Sequence, residues 1–71
     1  MTGGEFIRKI EALGRRTGIS VHFDERHGKG SHGTLYDGTR KTTVKDRKKD
    51  IGPGLLAAML SQLSLSKKDL L

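Results

Sequence analysis

The spacing of apolar residues changes twice along this chain, and each change dictates the backbone that can bury them. Phe6, Ile10 and Leu13 recur at intervals of four and three with Ile7 beside them, while Arg8, Lys9, Glu11, Arg15 and Arg16 fall largely elsewhere around the helical wheel. That pattern is an amphipathic helix. Thr2 followed three residues later by Glu5 predicts a capping box at its start, and Gly18 is a natural stop. Arg15 and Arg16 would then occupy the last turn, where cations complement the negative end of the helix dipole. From Ile19 the period falls to two: Ile19, Val21 and Phe23 alternate with Ser20, His22 and Asp24, which reads as a half-buried strand.

Residues 31–36 and 39–44 flank Asp37-Gly38, a dipeptide favoured in two-residue type I′ hairpins because both central positions take positive φ. With that turn, Tyr36 would face Thr39, Leu35 would face Arg40, Gly33 would face Thr42 and Ser31 would face Val44. Leu35 and Val44 then share the face that packs on helices, and His32, Thr34, Tyr36, Lys41 and Thr43 share the solvent face. The charged run at residues 45–50 reads as a solvated loop. Leu56, Met59, Leu60 and Leu63 return to helical spacing, with Pro53 suited to the first helical position and Ile51 placed to staple on Leu56 if Gly52 is the cap. Ser66 and Asp69 predict a final short turn. The expected fold is α+β, ordered α-β-β-β-α: a three-stranded antiparallel sheet with two helices on one face, the arrangement of a double-stranded-RNA-binding domain, spanning residues 1–71 as one unit. Phe6, Ile10, Leu13, Val21, Phe23, Met59 and Leu60 are its expected core.

Composition narrows the function classes. In 71 residues there are 14 Lys plus Arg against 8 Asp plus Glu, a formal net charge of +6, and no Cys. Disulfides and thiolate metal sites are excluded, and a chain this short has little mass for a deep, walled active site. Leu, Ile, Val and Phe make up 17 of the 71 residues, above the roughly one-fifth level at which disorder sets in. The longest apolar run, residues 55–60, is six residues, far short of the roughly 18 a membrane span needs. A start of Met-Thr-Gly-Gly-Glu without a basic then apolar signal region leads us to expect a cytoplasmic protein with no membrane partner. Excess positive charge in such a domain points first to nucleic acid and second to an acidic protein.

The densest chemical signal is residues 27–34, His-Gly-Lys-Gly-Ser-His-Gly-Thr, where glycines admit a phosphate close to the backbone, Lys29 can attract it, and an imidazole titrates near neutral pH. These are ingredients for RNA cleavage, which needs a base for the ribose 2′-hydroxyl, an acid for the departing 5′-oxygen and cations for the charged phosphorane, but neither a metal nor a protein nucleophile. A glycine-rich hairpin loop with surface charges is the plainer reading of the same residues. No zinc site is expected: the three histidines stand five residues apart and match no standard ligand spacing.

Gly30-Ser31-His32 after a short strand and a basic glycine loop, then a hairpin, then Ile51-Gly52-Pro53-Gly54-Leu55-Leu56 leading into Met59-Leu60-Ser61-Gln62-Leu63, resembles the HicA family of mRNA interferase toxins over nearly the whole chain. The resemblance implies a toxin of a type II toxin–antitoxin system: an endoribonuclease without cofactor, cutting mRNA with the histidine of the Gly-Ser-His motif and silenced by a HicB-type antitoxin. His32 matches that histidine. Gly33 stands where many family sequences carry a second His, and the connection over residues 24–30 is longer than is common in the family.

Around His32, Lys29, Gly30, Ser31 and Lys41 are the expected phosphate-binding residues, and Tyr36, the sole Tyr in a chain without Trp, is able to stack on an unpaired base. His22, in one register, would neighbour His32 as a second acid or base; a solvated strand histidine is the plainer alternative. Arg40 is expected to snorkel at the sheet edge. Two rival readings stay open, a non-catalytic RNA-binding module of the same fold and a protein-binding domain.

Overall fold

In the computed structural model, which describes residues 1–25 and 32–70, helix α1 spans Gly3–Thr17 and begins on the expected capping box. The Glu5 N–H donates to the Thr2 hydroxyl at 3.1 Å and the Thr2 N–H donates to the Glu5 carboxylate at 2.8 Å, so each side chain satisfies a donor the helix leaves orphaned. At the other end Gly18 takes the left-handed conformation with φ 77°, and the N–H groups of Gly18 and Ile19 both close on the Gly14 carbonyl.

Strands β1 (Val21–Glu25), β2 (Gly33–Asp37) and β3 (Arg40–Val44) form one antiparallel sheet in the order β1-β2-β3, followed by helix α2 (Pro53–Gln62) and a final 3₁₀ turn, Lys67–Leu70. The α-β-β-β-α order is the expected one. Gly52 caps α2 with Pro53 in its first turn, and Ile51 and Leu56 both pack against the core. Helix α2 ends with the Leu65 N–H on the Leu60 carbonyl and the Ser64 N–H on the Ser61 carbonyl, a Schellman pattern in which Ser64 holds the left-handed position at φ 57°. The Ser66 N–H donates to the Asp69 carboxylate at 2.8 Å, as the final-turn reading requires.

Both helices cover one face of the sheet. Phe6, Ile7 and Ile10 of α1 and Met59, Leu60 and Leu63 near α2 close over Leu35 and Val44, with Val21 and Phe23 packed at the margin. Leu13 is only half-buried, and Ile19 falls outside β1 and is 47% exposed, lying against the hairpin turn at Gly38. The buried Thr42 hydroxyl donates to the Gln62 side-chain oxygen, tying β3 to α2. No helix among the described residues is long and apolar enough to cross a membrane.

The hairpin register departs from expectation. Gly33 faces Val44, Leu35 faces Thr42, Tyr36 faces Lys41 and Asp37 faces Arg40, which makes Gly38-Thr39 the two-residue turn. Gly38 has φ 63° and Thr39 has no positive φ, a combination that fits type II′ rather than type I′. A type I′ turn on Asp37-Gly38 would place Asp37 at positive φ; sliding the turn by one residue leaves that conformation to glycine alone. Every cross-strand partner thereby moves by two positions, an even shift, so the faces are preserved: Leu35 and Val44 point inward, Tyr36 and Lys41 outward.

The charged run also does more than solvate a loop. The Gly3 N–H donates to the Lys49 carbonyl at 3.1 Å and the Gly4 N–H to the Arg47 carbonyl at 2.9 Å, while the Ile51 N–H donates to the Met1 carbonyl at 2.8 Å. The loop backbone therefore satisfies the first donors of α1. A Cβ on Gly3 would stand 2.5 Å from the Asp46 carbonyl oxygen, which is why the helix can begin this close to the loop.

Candidate nucleic-acid interface

With both helices on one face, the opposite face of the sheet is uncovered. Alternation along the strands places His22 and Asp24 of β1, Thr34 and Tyr36 of β2, and Lys41 and Thr43 of β3 on it. The register sets these in two rows across the sheet: His22, Tyr36 and Lys41, then Asp24, Thr34 and Thr43. His22 and Tyr36 are stacked, with ring centroids 6.4 Å apart and planes 20° from parallel.

His32 is exposed, immediately before the first residue of β2, on the parity of Thr34 and Tyr36. The β2–β3 pairing ends at Gly33 with Val44, and His32 and Lys45, the residues just outside that pair, are both exposed. Lys29, Gly30 and Ser31, and His27 with them, lie outside the described residues.

The candidate residues thus divide into two groups. His32 stands at one end of the open face, with Lys45 one residue past the end of the neighbouring strand; His22, Tyr36 and Lys41 stand at the other end, Tyr36 being four residues along the chain from His32, about 13 Å at a strand's rise of about 3.3 Å per residue. His22 faces Tyr36, so the neighbouring of His22 and His32 is corrected: the two imidazoles do not share one reaction centre. Lys41 is likewise displaced from His32, because the slid turn pairs it with Tyr36. In the sequence Lys45 reads as the start of a solvated charged run that could also track an RNA backbone; the structure sets it one residue past the strand pair that ends beside His32.

Beneath His32 the packing is tight. Gly33 is buried, and a Cβ there would collide with Cζ and Cε1 of the Phe23 ring and stand 2.9 Å from the Asp24 carbonyl oxygen. On the Phe23 ring rests the Arg47 guanidinium, 5.4 Å from the ring centroid, and Arg47 also pairs with Glu25 at 2.5 Å. With Phe23 seated here, any side chain at position 33 would have to displace its ring, which accounts physically for the glycine in this chain.

Charge reinforces the exposure. Among the described residues, Glu5, Glu25, Asp46, Asp50 and Asp69 each hold a local hydrogen bond or ion pair: Glu5 and Asp69 in caps, Glu25 on Arg47, Asp46 on the Lys48 N–H, Asp50 on the terminal amine. Thr2 hydrogen bonds to its carboxylate hold Glu5 below the usual carboxylate range. Asp37, at the hairpin turn, is pushed up by partial burial against the opposing pull of Arg40. Lys41 and Lys45 carry no such partner among the described residues, and neither does Asp24, so the open face presents an ammonium on β3 and a carboxylate on β1 to solvent. Compared with known proteins, the chain matches no family model, no curated protein and no solved structure.

Proposed function

We propose that this chain is a cytoplasmic endoribonuclease, the toxin of a toxin–antitoxin pair, which cuts mRNA without a metal and uses His32 as the acid–base group. The observation that carries the reading is an exposed imidazole at the end of an uncovered sheet face, in a chain of net charge +6 and in the Gly-Ser-His setting that resembles the HicA toxins. An open face suits a polymeric substrate, which need not fit a pocket.

The chemistry asks little of the protein. His32 takes the proton of the ribose 2′-hydroxyl, or delivers one to the departing 5′-oxygen. The 2′-oxygen forms a bond to phosphorus as the bond from phosphorus to the 5′-oxygen breaks, leaving a 2′,3′-cyclic phosphate and a 5′-hydroxyl. Lys45, one residue past the strand pair that ends beside His32, opposes the charge that accumulates on the phosphorane, a role the sequence reading shared between Lys29, Lys41 and the backbone near residues 30–33. Lys29 and the backbone of residues 30–31 adjoin His32 in sequence and complete the proposed phosphate site. The partner is a HicB-type antitoxin, whose acidic surface would occlude the face; complementary charge speeds that encounter as well as RNA capture.

Purified wild type and His32→Ala, each freed of partner, test the reading on a defined RNA in chelator. The expected result is cleavage with cyclic-phosphate ends by the wild type and none by the variant. Equal cleavage by the two, or none by the wild type, would leave the RNA-binding module as the better account.

A further inference from the structure

The His22–Tyr36 stack lies at the far end of the open face from His32, and the acid–base chemistry proposed above does not use it. The two rings lie nearly parallel on a surface without a covering element, and Tyr36 keeps 37% of its surface exposed, so the pair offers an outer aromatic face to a third ring. Lys41 faces Tyr36 from β3, so the row runs imidazole, phenol, ammonium. Aromatic faces beside a cation are what an unpaired nucleotide requires: the base stacks and its phosphate is neutralised.

We infer that His22 and Tyr36 form a nucleobase-stacking subsite for single-stranded RNA, with Lys41 on the phosphate and Asp24 reading the edge of the stacked base. The inference rests on the RNA reading above and adds a substrate preference to it. Asp24 follows His22 by two residues on the same face, with Thr34 facing it. An ionised carboxylate only accepts hydrogen bonds. Guanine offers two adjacent donors on its Watson–Crick edge, N1–H and the exocyclic amine, and can engage both carboxylate oxygens; adenine and cytosine offer the amine alone, and uracil only N3–H. The same carboxylate repels phosphate and turns the backbone toward Lys41. The subsite therefore favours guanine, in unpaired RNA only, about 13 Å from His32.

The test uses 2′-O-methyl oligouridylate carrying one central guanosine or adenosine, a ligand without the 2′-hydroxyl that cleavage needs. Tyr36 is the only Tyr and there is no Trp, so intrinsic fluorescence reports on this ring alone. Binding of the guanosine oligonucleotide should quench it. Tyr36→Ala should weaken binding roughly 5- to 150-fold, as read by anisotropy of the labelled oligonucleotide, whereas Tyr36→Phe keeps the affinity within about twofold. Asp24→Asn should abolish the preference for guanosine over adenosine, and Lys41→Ala should lower the slope of log affinity against log salt by about 0.7. Wild-type affinity in Tyr36→Ala, or binding that leaves Tyr36 fluorescence unchanged, overturns the subsite. If Tyr36→Ala binds normally while His32→Ala loses cleavage, the subsite falls and the nuclease stands. If binding needs Tyr36 in a protein that does not cleave, the subsite stands and the nuclease falls. No binding of RNA at all overturns both.

Discussion

The contact of Phe23 with Gly33 offers the sharpest test of how the His32 end of the sheet is built. Replacing Gly33 by Ala places a Cβ inside the Phe23 ring edge and 2.9 Å from the Asp24 carbonyl oxygen. Overpacking of this kind costs about 1–3 kcal/mol, offset by about 0.4–1 kcal/mol because alanine restricts the unfolded chain. The two terms span about 0–2.6 kcal/mol, and because the Cβ would sit inside the ring edge a net loss of about 1–2 kcal/mol is expected, from a domain whose whole stability, at about 0.05–0.15 kcal/mol per residue, is of order 4–11 kcal/mol. In a chain of this length that lowers Tm by about 4–16 °C. Urea unfolding followed by circular dichroism measures it for the wild type, Gly33→Ala, Phe23→Leu and the double variant. Leucine lacks the ring atoms that collide, so Gly33→Ala should cost at least about 0.5–1 kcal/mol less in the Phe23→Leu background, the Asp24 carbonyl keeping the relief incomplete. Gly33→His should be worse than Gly33→Ala. Strict additivity of the two substitutions, or a Gly33→Ala protein as stable as the wild type, would refute the packing account.

Three further outcomes follow from other contacts. Ser64 at φ 57° pays the steric penalty of the left-handed region, so Ser64→Gly should raise stability by up to about 1 kcal/mol in the same unfolding assay. Because Glu5 is held below its ordinary pKa by Thr2, its contribution is present above the unfolded carboxylate value and is lost as pH falls through the lowered folded one; Glu5→Gln, which can still cap, should flatten that acid limb of a Tm-against-pH curve. On the nuclease reading, Lys45→Ala should depress kcat and Lys41→Ala chiefly raise KM, because Lys45 adjoins the strand end next to His32 whereas Lys41 pairs with Tyr36; the reverse split would place the reaction at the other end of the face.

Local features were legible without coordinates because they depend on neighbours in the chain. The Thr2–Glu5 box, the stop at Gly18, Pro53 in the first turn of α2 and the Ser66–Asp69 turn each involve residues a few positions apart, and each is present. The end of α2 was less visible, since Ser64 rather than glycine or asparagine holds the left-handed position. Of the proposed site, the exposure of His32, Tyr36 and Lys41 could be read from alternation, but which of them are neighbours could not.

By itself, then, the sequence determined the order of elements and which residues share a sheet face, because the two hydrophobic periods differ and a period of two survives any even slip of register. Tertiary structure decided the register, through the single positive φ that Gly38 accepts and Thr39 does not need. That two-residue shift moved Lys41 opposite Tyr36, and the β1 ladder set His22 against Tyr36 rather than beside His32. It was likewise tertiary packing that seated Phe23 over Gly33 and the loop carbonyls on the start of α1. Such pairings join residues distant in the chain, and no periodicity encodes which of several distant partners fits.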